Sequence, residues 1–279
     1  MPNSEAARPE TPRKIWHFLG SVVLLAAIAW VGFRFQPREN AWLIILVLMT
    51  AFAVLNGHGI TGARWGIFID SRNKISLSRL QMLAWTLLVL SALLTAILSN
   101  VGHGAASPMD IDIPSQLWVL LGISTATAVG APALLNAKRL KPADYQELNK
   151  TVNGLATQGQ TGVDTGESSI VVRNASIQDA RWSELLKGDE SGNASVVDVG
   201  KLQMFFFTFI LVIGYGAAVY AMLSGRGVIT AFPPVQDGMN VLLGISQTGY
   251  LASKVITVSK EAAAPGPPPK ASAAGEGQP

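Results

Sequence analysis

The sequence predicts an all-α integral membrane protein with six transmembrane helices, both termini on the cytoplasmic side and a small α+β cytoplasmic segment before the fifth helix. Three observations predict it. The chain is 49% hydrophobic and 14% charged, with its apolar residues gathered in long blocks, which is a membrane composition. Lys and Arg gather in alternate connecting segments. One helical hairpin occurs twice, in the same orientation. Leu80-Gln81-Met82 and Leu120-Leu121-Gly122-Ile123-Ser124 return as Leu202-Gln203-Met204 and Leu242-Leu243-Gly244-Ile245-Ser246, both displaced by 122 residues.

A spanning helix needs about 20 mostly apolar residues to cross about 30 Å of hydrocarbon, because unpaired backbone groups cannot face lipid. Six stretches qualify, near 15–34, 41–56, 80–99, 116–136, 203–223 and 238–256. The second is the weakest, and its dense run from Trp42 to Leu55 needs Gly57 to Ile60 to complete the crossing.

Basic residues are retained on the cytoplasmic side during insertion. With the N-terminus inside, only Arg34, Arg38 and Arg226 of the 21 Lys and Arg residues fall outside. The run from Trp182-Ser183 to Leu185 ahead of Gly188-Asp189-Glu190, with the Leu-Gln-Met helix, resembles a recurring bacterial membrane-protein pattern without a named family. It lends no function, and the expected location is a bacterial inner (plasma) membrane. The basic excess behind the pI of 9.2 is spread over helix flanks. A nucleic-acid binder concentrates it in one stripe, so the expected partners are the lipid bilayer, further copies of the chain and a cytoplasmic protein. Ala27-Ile28-Ala29 has the form of a signal cleavage site, but the apolar run continues through Trp30, Val31 and Phe33, which favours an uncleaved anchor. The absence of Cys excludes disulfide, iron-sulfur and thiolate chemistry.

Residues 1–14 and 257–279 are too polar or too rich in Pro, Ala and Gly to offset ordering entropy, so both are expected to be disordered. Residues 15–60 form an N-terminal hairpin of spans. In 61–79, Trp65, Ile67 and Ile69 alternate with other residues before the turn residues Asp70-Ser71-Arg72-Asn73, which reads as a β-hairpin against the membrane face. Repeat A covers 80–136 and repeat B 202–256, and two parallel copies imply a pseudo-twofold axis along the membrane normal. Between them, 137–201 divides into a helical extension over Lys138–Val152, a flexible loop over Asn153–Ser169, a strand at Ile170–Val172 and a short helix over Ala180–Lys187. That segment holds too few apolar residues for a core of its own. It is expected to pack on the hairpin, the helix ends or a neighbouring copy.

The candidate site residues follow from this layout. Ser78 and Gln81 match a capping box at the start of the third helix, and Gln203 repeats the pattern behind Gly200. Gly122, Gly244, Gly130, Gly214, Gly249 and Ala218 are small residues that let membrane helices approach or copies associate. Ser124, Thr125, Thr127, Ser246, Gln247 and Thr248 form a candidate polar lining between the repeats. No ionisable residue lies near the middle of a span, which disfavours proton-coupled transport and voltage sensing. Lys254 is placed to snorkel from the inner end of the last helix.

No catalytic, cofactor or metal residues are predicted. His17, His58 and His103 are expected at separate places, and Gly154, Gly159, Gly162 and Gly166 lack the ending of a phosphate loop. Asp189-Glu190 and Asp110/Asp112 read as solvated surface charge. Asn174-Ala175-Ser176 and Asn193-Ala194-Ser195 match glycosylation sequons on the predicted inner side, where they have no use. The sequence thus points to a non-catalytic homo-oligomeric scaffold presenting its cytoplasmic segment to a partner. The alternative is a channel or passive transporter lined by the fourth and sixth spans.

Overall fold

The computed structural model describes residues 11–164 and 169–261, with side chains from Ile15 onward. Of the segments 1–14 and 257–279 expected to be disordered, 1–10 and 262–279 lie outside the described residues; the rest is corrected, because 11–14 belong to the first helix and Val258 and Ser259 are held by their N–H groups on Glu190. Among the described residues seven α-helices follow in order: α1 Thr11–Arg34, α2 Arg38–Thr61, α3 Leu77–Gly102, α4 Ser115–Lys138, α5 Tyr145–Thr157, α6 Val199–Leu223 and α7 Asp237–Val255. Five are long and apolar enough to cross a membrane: α1 (from Ile15), α2, α3, α4 and α6. The weak second stretch extends through Gly57 to Thr61 as its length required. Helix α7, with 19 residues including Asp237, Asn240, Gln247 and Lys254, falls short of that standard.

Leu77 and Val199 open α3 and α6, and Ser115 and Asp237 open α4 and α7; each pair is 122 residues apart. Helix α3 packs on α6 and α4 on α7, like against like, in addition to the contacts within each hairpin. A twofold axis along the helices would place unlike helices side by side, so the expected pseudo-twofold is corrected. The hairpins instead stack next to one another in the same orientation. Their connecting loops agree, since Asp112 and Ala231 form a parallel bridge. The Asp112 N–H donates to Thr230 O at 2.8 Å and Phe232 N–H to Asp112 O at 2.9 Å. Buried Asn100 locks both loops, donating to Ile229 O at 2.8 Å and accepting from the Ile229 N–H at 2.7 Å.

Helix α2 lies across α3 and α6, and α1 covers α2 and α3. The apolar core between them gathers Trp42, Trp85, Leu88, Leu117, Leu120, Val219 and Leu243. Trp42 Nε1–H donates to Ser91 Oγ at 2.9 Å, so the polar tip of a core aromatic is satisfied. At the loop end, Arg38 donates to the carbonyls of Leu223, Gly225 and Gly227. It thereby caps the C-terminus of α6, where the helix dipole favours a cation.

The opposite end carries a polar cap. Helix α4 stops at Lys138 and α5 starts afresh at Tyr145, so the expected continuous extension is corrected. Pro142 lacks the N–H a helix needs, and Asp144 caps α5 by accepting from the Gln146 and Glu147 N–H groups, each at 3.0 Å. The expected α+β character is also corrected: among the described residues the cap has isolated bridges and no strand. Trp65–Ile69 winds into a short 3₁₀ turn at Gly66–Phe68, and only the Ile69–Ile75 bridge remains of the hairpin. Gly66 is required there, since a Cβ would lie 2.7 Å from Gly57 O. Ala180–Lys187 likewise makes a 3₁₀ turn over Trp182–Leu185. The cap seats itself on the hairpin loop through the Trp65, Phe68 and Trp182 rings, with Trp65 and Trp182 centroids 5.1 Å apart.

Candidate functional site

Two buried polar assemblies stand out, one where the cap meets the helices and one inside the bundle. The first centres on Asp189, which follows the 3₁₀ turn and is turned inward. Its carboxylate lies 2.6 Å from Arg72 Nη1, 2.9 Å from Lys201 Nζ and 2.6 Å from Lys254 Nζ. One carboxylate thus collects cations from the hairpin loop, the start of α6 and the end of α7. Arg72 is also forked onto Asp70 at 2.6 Å, and Lys254 reaches Asp198, the N-cap of α6, at 3.3 Å. Burial opposes the Asp189 charge, but Arg72, Lys201, Lys254 and Lys74 override it and hold the carboxyl well below the usual carboxylate range. Burial likewise works against Arg72, and Asp189 and Asp70 override it, raising its pKa above the ordinary value. Lys74 differs. Burial pushes its ammonium pKa down despite Asp189, Glu184 and Asp70, and its Nζ has Gly188 O at 3.4 Å.

Two further carboxylates extend this junction. Glu190 receives Lys138 Nζ at 2.6 Å and the N–H groups of Val258 and Ser259 at 2.8 and 3.1 Å, pinning the chain beyond α7. Glu184 accepts from Asn174 and Gln160 at 2.7 and 2.8 Å, and from the Ile75 and Arg181 N–H groups, each at 3.0 Å. The expectation of solvated charge at Asp189-Glu190 is therefore corrected. Lys254 does not snorkel; it is buried in this cluster. The sequence signal was present in the basic residues at helix ends, Lys138, Lys201 and Lys254, which require carboxylates when a polar segment folds over them.

The second assembly lies in the repeat bundle. Gln81 of α3, Ser124 of α4, and Ser246 and Gln247 of α7 are all buried. Among the described residues, neither amide atom of Gln81 or Gln247, neither Ser hydroxyl nor the Trp85 indole N–H has a hydrogen-bond partner. Each unmet buried group costs about 1–3 kcal/mol. Other buried hydroxyls in these helices turn onto their own backbone: Thr95 to Ser91 O, Thr127 to Ile123 O and Thr208 to Met204 O, at 2.8, 3.0 and 2.8 Å. In α3, α4 and α7 the unmet side-chain groups are thus those of Gln81, Trp85, Ser124, Ser246 and Gln247, together with Asn240 Oδ1.

Of the predicted polar lining, the structure buries Ser124, Thr127, Ser246 and Gln247 and leaves Thr125 and Thr248 exposed. Of the predicted packing residues, a Cβ at Gly130 would lie 3.7 Å from Leu251 Cδ2, and Ala218 lines a cavity of about 190 Å³ with Trp85, Leu120 and Tyr215. A Cβ at Gly122, Gly214 or Gly249 would meet nothing within 4 Å, and at Gly244 only Ile123 Cδ1 at 4.0 Å. These glycines are not tight crossing points within the chain, because the α4–α7 seam is made by larger residues such as Leu120 and Leu243. The predicted caps also move. Ser76 and Asp198 are the N-caps of α3 and α6, so Ser78 sits inside the first turn, Gln81 is buried and Gln203 is exposed. His17 and His58 come together, with ring centroids 5.3 Å apart, because α2 extends far enough to bring His58 beside α1.

No protein-family model, curated protein or solved structure matches the chain.

Proposed function

We propose that the chain is a non-catalytic, self-associating membrane scaffold that holds a rigid cytoplasmic cap and offers it to a protein partner. The Asp189 junction is the observation that carries this reading. A segment tethered only at its ends would move independently of the bundle, whereas Arg72, Lys201 and Lys254 bind one buried carboxylate from three separate elements. The proposed setting is a bacterial inner membrane with both termini in the cytoplasm, following the basic asymmetry of the sequence. In this reading α7 is the sixth span. Its Ser246, Gln247 and Lys254 are turned inward while Val241, Leu242, Ile245 and Val255 face outward, so apart from Thr248 the middle of the face offered to lipid is apolar. The two stacked hairpins are a duplicated unit, as their equal spacing of helix starts suggests. Self-association would use the exposed small-residue surface around Gly122 and Gly249, where a partner helix can approach closely.

The exposed Leu140, Tyr145 and Trp182 on the cap are the candidate partner contacts. A photo-crosslinking residue placed at Leu140 or Trp182 in cells should yield a discrete adduct with a second protein, and the yield should fall in Asp189→Asn. Uniformly absent adducts would contradict the reading.

A second reading, a channel or passive transporter along α4 and α7, draws support from the unmet groups of Ser124, Ser246 and Gln247. The apolar residues Trp85, Leu120 and Leu243 speak against an open path.

A further inference from the structure

Gln81, Ser124, Ser246 and Gln247 share one level of the bundle. The register of α4 against α7 is given by two contacts, Ile123 beside Gly244 and Gly130 beside Leu251, which put Ser124 level with Ser246 and Gln247. Trp85, Leu120 and Leu243 pack in one apolar cluster. One turn from each of them toward the cap lie Gln81, Ser124 and Gln247. A second apolar cluster of Leu77, Ala131, Met204 and Tyr250 closes the level from the cap side. Pro132 adds a further feature. It lacks an N–H, so the carbonyl of Ala128, a buried residue one turn from Ser124 toward the cap, loses its i+4 helical donor.

We propose that this level is an occluded binding site for water. Amides and hydroxyls both donate and accept, so the occupant must do both. It must also be neutral, because the nearest formal charge on α7, Lys254, is seven residues away and already engaged by Asp189 and Asp198, and an unpaired ion there would be poorly solvated. Water needs two to four polar partners, which two glutamines and two serines supply. The inference is independent of the scaffold proposal, since an occluded site conducts nothing.

The experiment is X-ray radiolysis of the full chain in nanodiscs prepared in H₂¹⁸O, read by mass spectrometry. Trp85 and Trp42 are both buried core tryptophans, but only Trp85 adjoins the polar level. Incorporation of ¹⁸O at Trp85 should exceed that at Trp42 several-fold, and should fall toward the Trp42 level in a Gln81→Leu, Gln247→Leu double variant. Equal labelling of the two tryptophans in the parent chain would overturn the proposal. So would a higher melting temperature in the double variant, because leucine relieves dry, unmet amides but removes partners from bound water.

Discussion

Lys254, in the last turn of α7, lies 2.6 Å from Asp189 of the cap, and this contact joins the end of the helix bundle to the segment folded over it. Replacing Asp189 by Asn keeps the shape and removes the charge, leaving Arg72, Lys201 and Lys254 buried around a neutral amide. Breaking a buried pair of this kind costs about 3–5 kcal/mol. Thermal unfolding in detergent should shift sharply downward, with limited proteolysis cutting the cap first. An unchanged melting temperature would mean that the junction is incidental.

The same junction sets a pH dependence. The folded Asp189 carboxyl titrates below its unfolded value of about 3.9, so its contribution is complete above that value and is lost as pH falls toward the folded value. Lys74 acts in the other direction. Its folded pKa lies below the unfolded value of about 10.4, and within that window the unfolded chain holds more protons, so stability rises with pH. Melting temperatures measured from pH 3 to 10 should fall at the acid end, and Lys74→Met should lessen the alkaline rise, to which Lys187, whose pKa burial also lowers, contributes as well.

Arg38 should resist conservative replacement. Its guanidinium serves the carbonyls of Leu223, Gly225 and Gly227 at once, a fork that the single ammonium of lysine cannot reproduce. Both Arg38→Ala and Arg38→Lys should cost about 1–3 kcal/mol in thermal or denaturant unfolding. Full stability of the lysine variant would show that charge alone is sufficient.

The glycines divide into two classes by substitution. A side chain at Gly57 would lie 2.7 Å from Ile67 N, so Gly57→Leu should lose about 1–3 kcal/mol or more. Gly122→Leu meets open space and should melt like the parent while weakening self-association measured by mass photometry in nanodiscs.

Much of this architecture was legible in the sequence. Apolar blocks marked the five helices long and apolar enough to span a membrane, and the helices that open at Leu77 and Val199, and at Ser115 and Asp237, keep the 122-residue spacing seen in the sequence. Spacing along a chain carries no information about lateral arrangement, so the like-against-like stacking of α3 on α6 was invisible. The cap misled for a related reason. Alternation at Trp65, Ile67 and Ile69 suggested a strand, but the close approach of Gly57 to Gly66 imposes a tight turn there. Asp189 resembled surface charge because its partners lie far along the chain, at Arg72, Lys201 and Lys254. Ser124, Ser246 and Gln247 were recognisable as an unusual polar set in an apolar helix pair, although not their lack of partners.

The most direct test of the scaffold account is solute and ion flux through liposomes reconstituted with the purified full-length protein. The account predicts no conductance and no osmotic swelling above that of empty vesicles. Reproducible flux that disappears in a Ser124→Ala, Ser246→Ala double variant would contradict it and establish a path through the polar level.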